Sequence, residues 1–345
     1  MNLLPEKLRS KVAYAPSAGS YSIRLDANES PYDLPAALKE RFLSELLETS
    51  LNRYPDSSAH ALREAFGARY GAAPGCIAAG NGSDELISLL TTSFLSKGDT
   101  LLVAEPDFSM YRFYAELAEL TLAACRREAD FDAAQLEQAL AKSRARAVIF
   151  SNPCNPTGAG MARANLLALI KKRSGVLFLV DEAYMDFWNQ SLLKEAPGLP
   201  NLIVLRTLSK AWGAAGLRLG FAVANEGLIA ALNTARSPYN VSTPSQLLGR
   251  LLLEEQENQG AFLQAQAKKL EAQLKILLPE ASVYPTHTNF VYLEAANARQ
   301  VFEFLKQQGI IVRLFGENAL RITASFDQEL SALYTALEKF TEANK

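Results

Sequence analysis

Cysteine and histidine are both scarce in this chain of 345 residues, with three of the former and two of the latter. Cys76, Cys125 and Cys154 are odd in number and unrelated in spacing, which argues against a disulfide framework and against a zinc site. His60 and His287 stand far apart in the sequence, so a histidine-rich metal site is excluded. No stretch approaches the ~20 apolar residues that a bilayer span requires. The opening MNLLPEKLRSKVAYAP carries Pro5 and charges from residue 6 onward where a secretory signal would have an apolar run, so the expected location is the cytoplasm. The net charge is −2 and no basic tract is present, which leaves no broad attraction for a phosphate backbone and makes nucleic acid an unexpected partner. Neither a Walker loop nor a GxGxxG after a first strand occurs, and internal repeats and low-complexity tracts are absent. Difficult chemistry is left to carboxylates, lysine or an organic cofactor.

What is present is an ordinary globular composition, 49% hydrophobic and 21% charged, in a chain longer than one core usually supports. Short apolar runs alternate with amphipathic segments through the middle: TLLVAEP (100–106), RAVIFSNP (146–153), VLFLVDEAY (176–184), NLIVLRT (201–207) and LGFAVA (219–224). Runs of this length with polar or Gly/Pro-containing ends suit strands buried on both faces of a mainly parallel sheet. DAAQLEQALAKS and ARANLLALIKKR between them read as crossover helices. The predicted fold is α/β: a doubly wound, mainly parallel large domain over residues 45–245 and a smaller α+β domain over 246–345. The smaller domain is expected to open with one long helix near 245–278 and to contain about three strands. Residues 1–44 are read as an arm, a short helix and part of the small domain.

In open parallel sheets, ligands lie beyond the carboxyl ends of the strands. Those ends here carry EPDF, SNPCNPTG, DEAY and RTLSK, four polar clusters that could form one site. Lys210, in RTLSKAWGAAGLRLG, is the residue that most needs an explanation. Most lysines are solvated surface charges. One that acts as a nucleophile must lose part of its basicity to a neighbouring cation or to burial, and Arg206 and Arg218 are the cations nearby in sequence.

RTLSKAWGAAGLRLG, VDEAYMDF, SNPCNPTG, GNGSDELI, LNRYPD, LDANESPY and LRIT appear in an order and spacing that resemble the histidinol-phosphate aminotransferases, of the fold-type I pyridoxal phosphate family. The resemblance covers nearly the whole chain. It implies pyridoxal 5′-phosphate as cofactor, with Lys210 as the Schiff-base lysine and proton carrier. It implies Asp181 against the pyridine nitrogen, and Tyr184 and Asn155 at the phenolic oxygen. Phe108 would stack on the ring. Gly82, Ser83 and Asp84 at a helix start, with Thr207, Ser209 and Arg218, would cradle the phosphate, as helix N-termini do for anions. Tyr54 would reach the cofactor phosphate of a second copy, which implies a homodimer with shared sites.

For the substrate, the resemblance assigns Arg321 to an anionic group, a task suited to a planar fork of donors. Arg313 is a second arginine for the phosphate. Asn28 and Tyr14 are further substrate-side positions, and Asn240, Arg236 and Tyr239 stand close by. The expected partners are a small amino donor and a 2-oxo acid. The implied reaction is L-histidinol phosphate plus 2-oxoglutarate to imidazole acetol phosphate plus L-glutamate, by a ping-pong mechanism. An aromatic or broad-range aminotransferase and a threonine-phosphate decarboxylase are the alternatives. Two departures stand out: Cys154 where the family often has asparagine, and Ala324–Ser325 where a glycine usually follows the LRIT threonine.

Overall fold

The computed structural model describes residues 3–9, 11, 19–127 and 131–343. Tyr14 lies outside them. Two sheets organise the chain. The larger has seven strands: β2 (Ile77–Asn81), β3 (Thr100–Glu105), β4 (Thr121–Arg126), β5 (Ala147–Ser151), β6 (Leu177–Asp181), β7 (Leu202–Thr207) and β8 (Leu219–Val223). Their spatial order is β2-β8-β7-β6-β5-β3-β4. Strands β7, β6, β5, β3 and β4 run parallel, and β8 runs antiparallel to both of its neighbours. The five central runs in the sequence are thus five strands, and the helices Ala133–Ser143 and Arg163–Lys172 are crossovers between them.

Residues of β5, β6 and β7 alternate between two apolar cores, one on each face of the sheet: Val148 and Phe150 go to one, Ala147 and Ile149 to the other. This two-sided burial is why these strands read as continuous apolar runs. The chain passes from β3 outward to β4 and returns to β5 on the other side of β3, which places a topological switch point between the ends of β3 and β5.

The smaller sheet has five strands rather than about three, in the order β1 (Ile23–Leu25), β11 (Ile310–Phe315), β12 (Ala319–Thr323), β10 (Phe290–Glu294), β9 (Ser282–Val283). β1 comes from the N-terminal segment and pairs parallel with β11. Leu25, Val291, Leu293, Val312, Leu320 and Ile322 pack into a third core against the helices Gly260–Leu277, Ala298–Gln307 and Asp327–Ala343. By alternation, Phe290, Tyr292, Arg313, Arg321 and Thr323 occupy the opposite face.

The long helix expected near 245–278 is two helices, Thr243–Glu255 and Gly260–Leu277. Backbone contacts impose the break. Gln259 N donates to Ala211 O at 2.8 Å, Asn258 Oδ1 accepts from Gly260 N at 2.9 Å, and a Cβ on Gly260 would lie 2.3 Å from Asp186 O. The expected division at 245/246 falls inside the first of these helices, whose Leu248, Leu251, Leu252 and Leu253 belong to a core of the large sheet. The division at 44/45 falls inside the helix Ala36–Leu47. Among the described residues, no helix is long and apolar enough to cross a membrane.

Candidate active site

The carboxyl ends of β3, β5, β6 and β7 converge beneath the polar face of the smaller sheet, and Lys210 lies just past the end of β7. Lys210 is half-buried, and its Nζ donates to Ala27 O at 3.0 Å. It sits 5.9 Å from the centre of the Tyr184 ring. Burial is the main cause that lowers its pKa to about 8, with Arg321 and Arg218 adding repulsion and Glu29 and Asp181 opposing them. Arg206 is not one of these cations. Successive residues of β7 point to opposite faces, so Arg206 projects away from Lys210 and pairs with Glu182 at 3.2 Å and with Asp186.

Asp181 ends β6 and is buried. Tyr111 donates its hydroxyl to Asp181 Oδ2 at 2.7 Å, and Ala183 N donates to Oδ1 at 3.0 Å. Burial nevertheless raises the Asp181 pKa to about 6, with Asp107 and Asp84 adding to the rise. A buried carboxylate in this state gains from a cation placed against it. Tyr184 is buried three residues later, with its hydroxyl accepting from Asn28 Nδ2 at 2.9 Å and Phe290 edge-on to its ring at 5.1 Å. Asn28 takes a left-handed backbone, φ 54°, and its side chain also accepts from Thr323 at 3.2 Å.

Asn155 lies in the loop after β5, with its Oδ1 accepting from Arg321 Nη1. Arg321 Nη2 donates to Asp26 O at 2.8 Å, and its guanidinium lies 5.3 Å from Phe290 and 5.6 Å from Phe315. Arg313 stands opposite Arg321 in the β11–β12 register. The departure at Ala324–Ser325 forms the turn into the last helix: Ala324 N donates to Asn289 O at 2.8 Å, and Ser325 donates to Glu329. Cys154 is buried, with its thiol 3.4 Å from Pro106 O.

A cup lies at the start of the helix Ser83–Ser93. Gly82 has φ 86°, which glycine adopts without a side-chain clash, and a Cβ there would lie 2.7 Å from Arg218 Nη2. Gly220 of β8 runs beneath, where a Cβ would meet Ser83 N at 2.2 Å. Thr207 Oγ1 donates to Leu219 O at 3.0 Å and accepts from Ser209 N at 3.1 Å, while Arg218 Nη1 reaches Ser209 Oγ at 3.5 Å. Backbone amides of a helix start, two hydroxyls and a guanidinium form a donor set for a phosphate-sized anion. Asp84, in the same turn, accepts from Tyr114 at 2.7 Å.

Phe108 is half-buried, with Tyr111 edge-on at 5.6 Å. Tyr54 stands apart from this group. It is 80% exposed and stacks on Tyr239 at 4.5 Å beside an open recess of about 690 Å³. Asn240 donates to Glu85 at 2.7 Å and accepts from Arg236, whose Nη2 donates to Ser57 O at 2.8 Å. Tyr239, together with Arg236 held by Asn240, therefore braces the loop that carries Tyr54.

Residues 21–337 match the family model described as aminotransferase class I and II. The chain belongs to that family. Among curated aminotransferases of this kind, it is 38% identical over 341 residues to a histidinol-phosphate aminotransferase of Chromobacterium violaceum, with 95% of each chain covered. It is 35% identical to the protein of that name from Thermoanaerobacter sp. (strain X514), covering 94% of each. The same fold appears in a histidinol-phosphate aminotransferase of Sinorhizobium meliloti, solved in complex with pyridoxal-5′-phosphate, at TM-score 0.88 and 21% identity over 100% of this chain and 99% of that one.

Asp107, Tyr111, Arg127 and Ser151, none of them a candidate from the sequence, form a buried polar group behind Asp181 and Asn155 in this aminotransferase. Asp107, Arg127 and Ser151 lie at three strand ends and Tyr111 on the helix Met110–Leu117, so they share no local pattern. The acidic residue in EPDF and the serine in SNPC were the available signals.

Proposed function

We propose that this chain is a pyridoxal phosphate-dependent aminotransferase that takes the amino group of L-histidinol phosphate and delivers it to 2-oxoglutarate, forming imidazole acetol phosphate and L-glutamate. The chemistry rests on one observation: a half-buried lysine of lowered pKa lies among a buried aspartate, a buried tyrosine and a preformed anion cup. The choice of substrate is supported by relatives 35–38% identical over nearly the full length that carry that name.

The donor set fits the cofactor. Gly82, Ser83, Asp84, Thr207, Ser209 and Arg218 would hold the phosphate, Asp181 the ring nitrogen, Tyr184 and Asn155 the phenolic oxygen, and Phe108 one ring face. Bound there, pyridoxal phosphate supplies an electron sink for the bond broken at the substrate's α-carbon. Asp181 keeps a positive ring nitrogen close and is itself relieved of its burial cost. Lys210 Nζ, less basic than an ordinary lysine, would be the covalent attachment point for the cofactor and, as a free amine, the base for the substrate's α-proton. Ala27 O gives its ammonium form an acceptor within the site. Arg321 and Arg313, like charges opposed on neighbouring strands, favour an anionic group between them, here the substrate phosphate. Tyr54 completes the site of a second copy in a cytoplasmic homodimer, a role supported by its exposure.

The test is to reconstitute the purified protein with pyridoxal phosphate and add single amines without an oxo acid. L-Histidinol phosphate bleaches the visible cofactor band and 2-oxoglutarate restores it. Equal bleaching by L-phenylalanine would replace this reading with a broad-range aminotransferase. Carbon dioxide released from O-phospho-L-threonine would replace it with a decarboxylase.

A further inference from the structure

We infer that Asp107 and Arg127 form a buried positioning pair that fixes, with Ser151, where Phe108 and Asn155 stand at the switch point of the large sheet. The inference rests on the reading of Phe108 and Asn155 as cofactor contacts. The two charged side chains are each only 1% exposed and lie 2.8 Å apart. Asp107 Oδ2 accepts from Arg127 Nη1 and, at 3.0 Å, from Ser151 N, while Oδ1 accepts from Phe108 N at 2.8 Å and from Ser151 Oγ. Arg127 Nη1 also donates to Ser151 O at 2.8 Å. Ser151 Oγ in turn accepts from Asn155 N at 3.0 Å. One carboxylate thus fastens the ends of β3, β4 and β5, and both residues assigned to the cofactor hang from it through a single hydrogen bond or a pair in series.

Taking two charges out of water is costly, and well-packed apolar side chains would stabilise the same place at least as well. What the ionic arrangement adds is direction. All four of Asp107's described contacts go to residues at the ends of β3, β4 and β5, the strands around the switch point. Opening of the loop after β5 would have to break the Ser151–Asn155 link before Asn155 could leave its place.

The test uses the whole protein and the dissociation constant of pyridoxal phosphate, measured by titrating apo-protein. Asp107→Asn leaves Arg127 buried without its counter-ion and is prone to misfold, so the decisive variant is Ser151→Ala, which removes only the hydroxyl between Asp107 and Asn155. Ser151→Ala is expected to weaken cofactor binding about tenfold, the order of one charge-linked hydrogen bond. Ser151→Thr, which keeps the hydroxyl, is expected to restore it. In an Asn155→Ala background, the effect of Ser151→Ala should vanish, because its route runs through Asn155. An equal loss in both backgrounds, or unchanged affinity in Ser151→Ala, would overturn the positioning role. Failure of the wild-type protein to bind pyridoxal phosphate would instead overturn the cofactor reading beneath it.

Discussion

The charged forms of Lys210 and Asp181 are disfavoured by the same cause, burial beside the cleft. For Lys210 the folded pKa, about 8, is below its usual 10.5, so the unfolded chain binds more protons between those values. The lysine therefore costs stability below pH 8, and the cost fades as pH rises toward 10.5. Lys210→Met is expected to abolish transamination while stabilising the apo-protein at pH 7 by about 1–3 kcal/mol, the upper figure being the full shift at 1.36 kcal/mol per unit. Melting curves at pH 7 and pH 10 check this, and the gain should shrink at the higher value. For Asp181 the folded pKa is raised from 3.8 to about 6, so its ionised form costs stability above pH 6 and nothing below the usual carboxylate range. Asp181→Asn should lose activity yet melt no lower than wild type at pH 7.5, with any advantage fading as pH falls toward 4.

At the scale of elements, the cup at Gly82 depends on how closely β8 passes beneath it. Gly220→Ala would drive a Cβ into the Ser83 amide and should both lower the melting temperature and weaken phosphate-anchored cofactor binding, measured by apo-protein titration. The sequence shows β3 and β5–β8 because both faces of those strands are buried, so their apolar runs are unbroken. It hides β2, whose IAAGN is built from small residues of low strand preference, and β4, an edge strand that is half exposed. The break at 256–259 is also hidden, since contacts with Ala211 and Asp186 and the Asn258 cap on Gly260 impose it. The site residues carried by strand-end loops were legible as polar clusters. Which way each side chain turns was not, as Arg206 shows: one step along β7 separates the face of Thr207 from the face of the Glu182–Asp186 pair.

For the molecule as a whole, the proposed homodimer would bring the exposed Tyr54, stacked on Tyr239, to the site of the other copy. Mixing inactive Lys210→Ala with a Tyr54→Ala variant should then recover activity above either parent, toward about a quarter of wild type if subunits exchange at random and a mixed dimer keeps one intact site. Activity no higher than the sum of the separate variants would place Tyr54 outside the partner's site. Every role proposed for the site depends on covalent attachment of the cofactor to Lys210. Borohydride reduction of the reconstituted protein, followed by peptide mapping, tests it most directly. A pyridoxyl group on Lys210, in the peptide containing RTLSKAW, is the expected result; a label on another lysine, or no label on a protein that has bound the cofactor, would refute the attachment.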